Sequence, residues 1–156
     1  MAGYRESSVD DPAARILLDA YFDERAAGFP AGPDAYRRAT PDPKQFSPPF
    51  GVFLVVQEDG HDVGCGGARL LGDSDAGVCF EIKHLWIAPE YRGRGLGRDL
   101  LRELEQRSKS FGARVVVLDT NASLDAAQRL YQSSGYQEIP AYNDNPNATH
   151  WFGKRV

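Results

Sequence analysis

The sequence predicts a mixed α/β domain, an α+β arrangement built on one central sheet. Three observations carry this. Apolar runs joined by tight turns over residues 51–87 read as antiparallel strands. The bend Arg92-Gly93-Arg94-Gly95-Leu96-Gly97 turns the last of them into a long amphipathic helix, and an unbroken apolar run, Val115-Val116-Val117-Leu118, follows that helix. A run of that kind suits a parallel strand covered on both faces.

Residues 3–8 are expected as a short edge strand. Asp11-Pro12 starts a helix, with Asp as N-cap and Pro in the first turn. Ile16, Leu17, Ala20 and Tyr21 form its expected apolar stripe, and Gly28 and Pro30 end it. A second short helix is expected at 34–39. Pro41, Pro43, Pro48 and Pro49 make 40–50 a loop rather than a helix or central strand. Strands follow at 51–58 and 63–71, joined by the hairpin turn Asp59-Gly60. A turn from Gly72 to Gly77 leads to a third strand from Val78.

The helix from about 94 to 111 places Leu96, Leu100, Leu101, Leu104 and Phe111 on one face, with Glu103–Arg107 and Glu105–Lys109 as solvent-side pairs. Strand–helix–strand makes a crossover unit. Ser123 is the expected N-cap of a helix through Ala126, Ala127, Leu130 and Tyr131, ending at Gly135. Short strands from Tyr136 and over 149–155 close the chain.

At 156 residues the prior is one domain spanning 1–156. Apolar content of 42% and charged content of 26% exclude a disordered chain. A net charge of −4 argues against nucleic-acid binding. The chain has no apolar run of membrane-spanning length and no signal-peptide pattern at its start, so a cytoplasmic protein without membrane association is expected. Cys65 and Cys79 lack metal-ligand spacing and read as small core residues; no metal site is expected.

Alternate glycines in the 92–97 bend let several backbone N–H groups converge on one ligand. The helix starting there adds its unpaired first-turn donors and positive dipole end, a geometry suited to phosphate or pyrophosphate. A P-loop would need Gly-Lys followed by Ser or Thr, and the dinucleotide fingerprint fails because its third glycine would fall at Arg98. What remains is R-x-x-G-x-G, Arg92 to Gly97.

That loop, together with Glu81-Ile82-Lys83-His84-Leu85-Trp86-Ile87 before Pro89 and with Ala127-x-x-Leu130-Tyr131-x-x-x-Gly135-Tyr136, resembles the GNAT superfamily of N-acetyltransferases over nearly the whole chain. The resemblance implies a mixed, mostly antiparallel sheet with one splayed parallel strand pair and helices on both faces. It implies acetyl-CoA as cosubstrate. Backbone groups of Leu85, Trp86 and Ile87 would bond the acetyl carbonyl and pantetheine. Arg92, Gly93, Arg94, Gly95, Leu96, Gly97 and Arg98 would form the pyrophosphate loop. Tyr131 is the implied general acid, and Glu81 resembles the glutamate base of the histone acetyltransferase branch.

A base is needed because an alkyl ammonium has a pKa of about 10.4. Strict alternation places Glu81 on the strand face of Leu85 and Ile87, and His84 with Ile82 and Trp86, where a packed histidine is expected. Many family members carry a coenzyme-contacting polar residue seven positions before the tyrosine. Here that position is Leu124, with Asn121 either replacing it or acting as a cap. Asn143, Asp144, Asn145, His150 and Trp151 either shape the amine site or form an ordinary hairpin turn. The expected partner is a small-molecule primary amine; a peptide amine, or a non-catalytic acyl-CoA-binding role, is the alternative, and a homodimer is left open.

Overall fold

The computed structural model describes residues 2–156. Its elements are β1 (Gly3–Glu6), α1 (Pro12–Ala27), β2 (Gly51–Glu58), β3 (His61–Ser74), β4 (Gly77–Ile87), α2 (Leu96–Ser110), β5 (Val115–Thr120), α3 (Asp125–Ser133), β6 (Gln137–Ile139) and β7 (His150–Arg155). The strands form one open sheet in the order β1-β2-β3-β4-β5-β7-β6, antiparallel throughout except for the parallel pair β4–β5.

Two apolar layers sandwich the sheet. Leu96, Leu100, Leu101 and Leu104 of α2 and Tyr131 of α3 pack against Leu54, Phe80, Ile82, Val116 and Leu118 on one face. Leu17, Leu18 and Phe22 of α1 pack with Phe46, Phe53, Val55, Cys65 and Trp86 on the other. The glycine-rich β3 makes both layers fit. A side chain at Gly66 would come within 2.9 Å of Leu104, and one at Gly67 within 2.7 Å of Phe46.

Several expectations shift. The stripe of α1 is Ala14, Leu17, Leu18, Phe22 and Ala26, while Ile16 is 70% exposed. Phe22 packs in one layer with Cys65 of β3 and Trp86 of β4, so the buried face of the helix includes it. Residues 34–39 hold only a 3₁₀ turn, Pro33–Ala35. Leu124, not Ser123, is the N-cap residue of α3. Glu105 is buried: Tyr136 Oη donates to it at 2.7 Å and Lys154 Nζ lies at 3.0 Å, whereas Glu103–Arg107 forms as expected at 3.0 Å. Cys65 and Cys79 are buried free thiols.

Candidate active site

The site arises where β4 and β5 part. They pair only at Cys79–Val115, Phe80–Val116 and Glu81–Val117. Beyond this, β5 continues against β7 to Thr120 and β4 runs on beside β3 to Ile87, so the β5-facing edge of residues 82–87 has no ladder partner. Unpaired strand edges offer backbone donors and acceptors to an extended ligand.

A bulge sits in the same segment. Cys65 pairs with Trp86 but Gly67 pairs with Lys83, so β4 carries one extra residue, and His84 takes φ 58°. The bulge overturns strict alternation. Leu85 and Ile87 lie on the α2 face with Phe80 and Ile82, whereas Trp86 and the His84 ring lie on the α1 face. Glu81 therefore points away from the face of Leu85 and Ile87. The His84 ring packs among Tyr21, Phe22 and Phe46, with its Nδ1 buried and unpartnered among the described residues. Burial above all, aided by Lys83 and Arg69, pushes its pKa down to about 3, so the ring is neutral.

A cavity of about 680 Å³ opens at the split. It passes between the two faces: Ile82, Leu85, Leu118 and Tyr131 line it from one side, and Tyr21, Phe22 and His84 from the other. Residues 36–42 and 145–148 roof it. Arg37 N–H donates to Asn147 Oδ1 at 3.0 Å, and Asn147 Nδ2 donates to the Arg37 carbonyl at 2.7 Å, clasping the two loops together.

Tyr131 is buried, and its hydroxyl has no hydrogen-bond partner among the described residues although the residue lines the cavity. Burial pushes its pKa up to about 12, with Arg25 pulling down and Tyr21 and Asp119 pushing up, so the phenol holds its proton at neutral pH.

Glu81 is fully buried. Its cross-strand neighbour Arg69 donates from Nε to Oε1 at 2.9 Å, Tyr142 donates to Oε2 at 2.6 Å, and Lys83 Nζ lies 3.4 Å from Oε2. Glu81 does not line the cavity; Arg69, Lys83 and Asp119 do. Lys83 reaches Asp119 at 3.3 Å, and Asn143 and Asn145 donate to Asp119 Oδ2 at 2.8 and 3.1 Å. Trp151 Nε1 in turn donates to Asn143 Oδ1 at 2.9 Å. Asp144 is exposed, and His150 contacts Thr149 and Glu138 at the outer strand pair.

The glycine bend lies at the start of α2. Gly93 and Gly95 both take φ 80°, left-handed backbone that glycine adopts without strain. Among the described residues, no backbone N–H from Gly93 to Arg98 donates to a protein acceptor; the first amide of α2 to do so is that of Asp99, to the Gly95 carbonyl at 3.0 Å. Six free donors at a helix N-terminus fit a pyrophosphate. Gly97 sits against Ile87 and Leu130, placing this nest beside the end of β4.

The side chains of the loop do other things. Arg92 donates to the Ile87 carbonyl at 2.8 Å and to Glu24 at 2.8 and 2.9 Å, bracing α1 against β4. Arg94 lies over Tyr91 and near Glu58, and Arg98 is exposed beside Asp99. Asn121 lines the cavity, but its amide is occupied: Nδ2 donates to the Asn147 carbonyl at 3.1 Å and Oδ1 accepts from Ser123 N–H at 3.0 Å. Asp119, Tyr142, Arg25 and Asn147 were not singled out from sequence. The spacing of Asn143 and Asn145 is the available signal, since residues two apart in an extended segment present both amides to one side, here to Asp119.

A split parallel pair with a bulge beside it and a nest of free amides at the following helix defines an acyl-carrier type of transferase site. Residues 8–136 match the Acetyltransferase (GNAT) family, and the chain belongs to that family. It is 36% identical over 104 residues, 66% of its length, to an N-acetyltransferase of Schizosaccharomyces pombe, and the match spans 62% of that protein. It is 35% identical over 93 residues, 59% of the chain, to the amino-acid acetyltransferase of Azotobacter vinelandii, of which it spans 21%. A Bacillus subtilis protein assigned as a ribosomal-protein alanine N-acetyltransferase is 37% identical over 89 residues, 57% of the chain and 56% of that protein. A solved structure from Klebsiella pneumoniae, assigned as an acyl-CoA N-acyltransferase, superposes with a TM-score of 0.77 at 26% identity, covering 99% of this chain and 97% of that one. The fold is thus the mixed, open GNAT sheet.

Proposed function

We propose that the protein transfers an acetyl group from acetyl-CoA to a primary amine of a small molecule by direct attack in a ternary complex. Acetyl-CoA supplies the activated acyl group as a thioester. The free amides of Gly93–Arg98 would hold its pyrophosphate, and the unpaired edge of β4 at Leu85–Ile87 its pantetheine arm. Tyr131 holds a proton at Oη inside the cavity, available to the leaving sulfur. Asp119 faces the ammonium and would take the proton it must lose before attack; the nitrogen then adds to the acetyl carbonyl, the C–S bond breaks and Tyr131 protonates the departing sulfur. Glu81 serves as a positioning residue that holds Lys83 and Arg69 rather than as the contacting base.

The observation that carries the small-molecule reading is the roof. The Arg37–Asn147 clasp covers the acceptor side, which suits an enclosed substrate better than a polypeptide lying in an open groove. The test is thiol release across a panel of amines and short peptides, with Tyr131→Phe beside the wild type. Loss of the proton donor should lower kcat by about 10²–10⁴-fold and leave coenzyme A affinity unchanged. Intact turnover in the variant contradicts the acid role; activity confined to peptides favours the protein-amine reading.

A further inference from the structure

The cavity carries more positive charge than its own carboxylates neutralise. Arg25, Arg37, Arg38, Arg69 and Lys83 line it. Three of these are paired: Arg69 with Glu81, Lys83 with Glu81 and Asp119, and Arg38 with Asp23. Arg25 and Arg37 have no carboxylate within salt-bridge distance among the described residues. Of the lining carboxylates, Glu24 is held by Arg92, Asp42 is exposed, and Asp119 is 7% exposed at the side chain.

Of these two arginines, Arg25 is held in place by other means. Arg25 stands in the last turn of α1, half-buried, with its guanidinium 5.2 Å from the centre of the Tyr21 ring. Arg37 is exposed in the roof: Asn147 clasps both its backbone groups, and no contact among the described residues fixes its guanidinium. The site is therefore polar in a fixed sense, with an unpaired guanidinium from α1 and a buried carboxylate on β5, and with Arg37 at its exposed rim.

We infer that the acceptor is a primary amine that also carries a carboxylate, the carboxylate held by Arg25 and the ammonium facing Asp119. This rests on the acetyl-transfer reading above and names the substrate class for it. A planar guanidinium binds a carboxylate through two parallel N–H donors, which an ammonium or amide cannot reproduce. An acceptor without the carboxylate leaves Arg25 unpaired in a partly dry site, and a polyamine places further positive charge against it. Losing charge-assisted hydrogen bonds of this kind should weaken binding by about 10- to 100-fold.

The experiment is isothermal titration of the coenzyme A-loaded full-length chain with matched sets: α-, β- and γ-amino acids of varied side chain, their carboxamides, and their decarboxylated amines. Thiol release from acetyl-CoA is followed with the same sets. At least one acid form should bind about 10- to 100-fold more tightly than its amide and amine. Arg25→Gln should erase that preference, raising KM for the acid while leaving coenzyme A affinity unchanged. Equal binding of the three forms in every set, absence of binding by all of them, or an intact preference in Arg25→Gln overturns the inference. Carboxylate-selective binding without thiol release supports the inference and refutes acetyl transfer; thiol release with amines lacking a carboxylate does the reverse.

Discussion

Replacing Glu81 with Gln separates two roles for the most deeply buried charge in the protein. The carboxylate is fully covered, accepts from Arg69 at 2.9 Å and Tyr142 at 2.6 Å, and lies 3.4 Å from Lys83. Breaking a buried ion pair from one side costs about 3–5 kcal/mol, because the remaining charge is stranded. Here the side chains of Arg69 and Lys83 are 30% and 19% exposed, and Lys83 keeps Asp119, so solvent and that second carboxylate recover part of the loss. Gln also still accepts from Tyr142. A destabilisation of about 2–3 kcal/mol remains, and at about 2–4 °C per kcal/mol for a chain of this size Tm falls by roughly 5–10 °C. Calorimetry gives Tm and steady-state kinetics on the folded variant give kcat. A positioning residue predicts the drop in Tm with kcat reduced by less than about tenfold, whereas loss of a contacting general base would cost about 10²–10⁴-fold. An unchanged Tm together with a thousandfold loss of kcat, on the order expected for a base, would refute the positioning account.

Gly93→Ala and Gly95→Ala each force an L side chain into backbone at φ 80°. The strain, about 1–2 kcal/mol, is relieved if the loop leaves its ligand-ready shape, so coenzyme A affinity should fall by roughly tenfold by titration calorimetry. His84 makes stability depend on pH. Its pKa is about 3 in the folded chain and about 6.5 unfolded, so the unfolded state binds the extra proton between those values. The stabilisation is therefore whole above pH 6.5 and is lost as pH falls toward 3, at about 1.4 kcal/mol per unit. Urea unfolding at a series of pH values should show this slope in the wild type and lose it in His84→Asn, a residue that tolerates the positive φ.

What could be read from sequence was what local chemistry encodes. β2 falls at Gly51–Glu58 as its apolar run requires, and α2 starts at the glycine bend because first-turn donors and alternate glycines are both local features. The bulge at His84 left no mark. It depends on how β4 meets the small residues Gly64–Gly67 across the strand pair, and a histidine at φ 58° is not a residue type that announces a bend. That one displaced residue reversed the facing assigned to Glu81. Glu105 reads as solvent-facing by helical spacing, and is buried because Tyr136 and Lys154, remote in sequence, converge on it. Arg25 and Asp119 belong to α1 and β5, and only the split between β4 and β5 opens the cavity that they share.

Main-chain recognition of a diphosphate at the start of α2 is most directly read by following the backbone amide resonances of Gly93–Arg98 by ¹H–¹⁵N NMR while coenzyme A is added, with pantetheine as the pyrophosphate-free control. These six resonances should shift most with coenzyme A, whereas pantetheine should move those of Leu85–Ile87 and leave the six in place. Saturable binding of coenzyme A with the Gly93–Arg98 amides unmoved, or no binding at all, would contradict it.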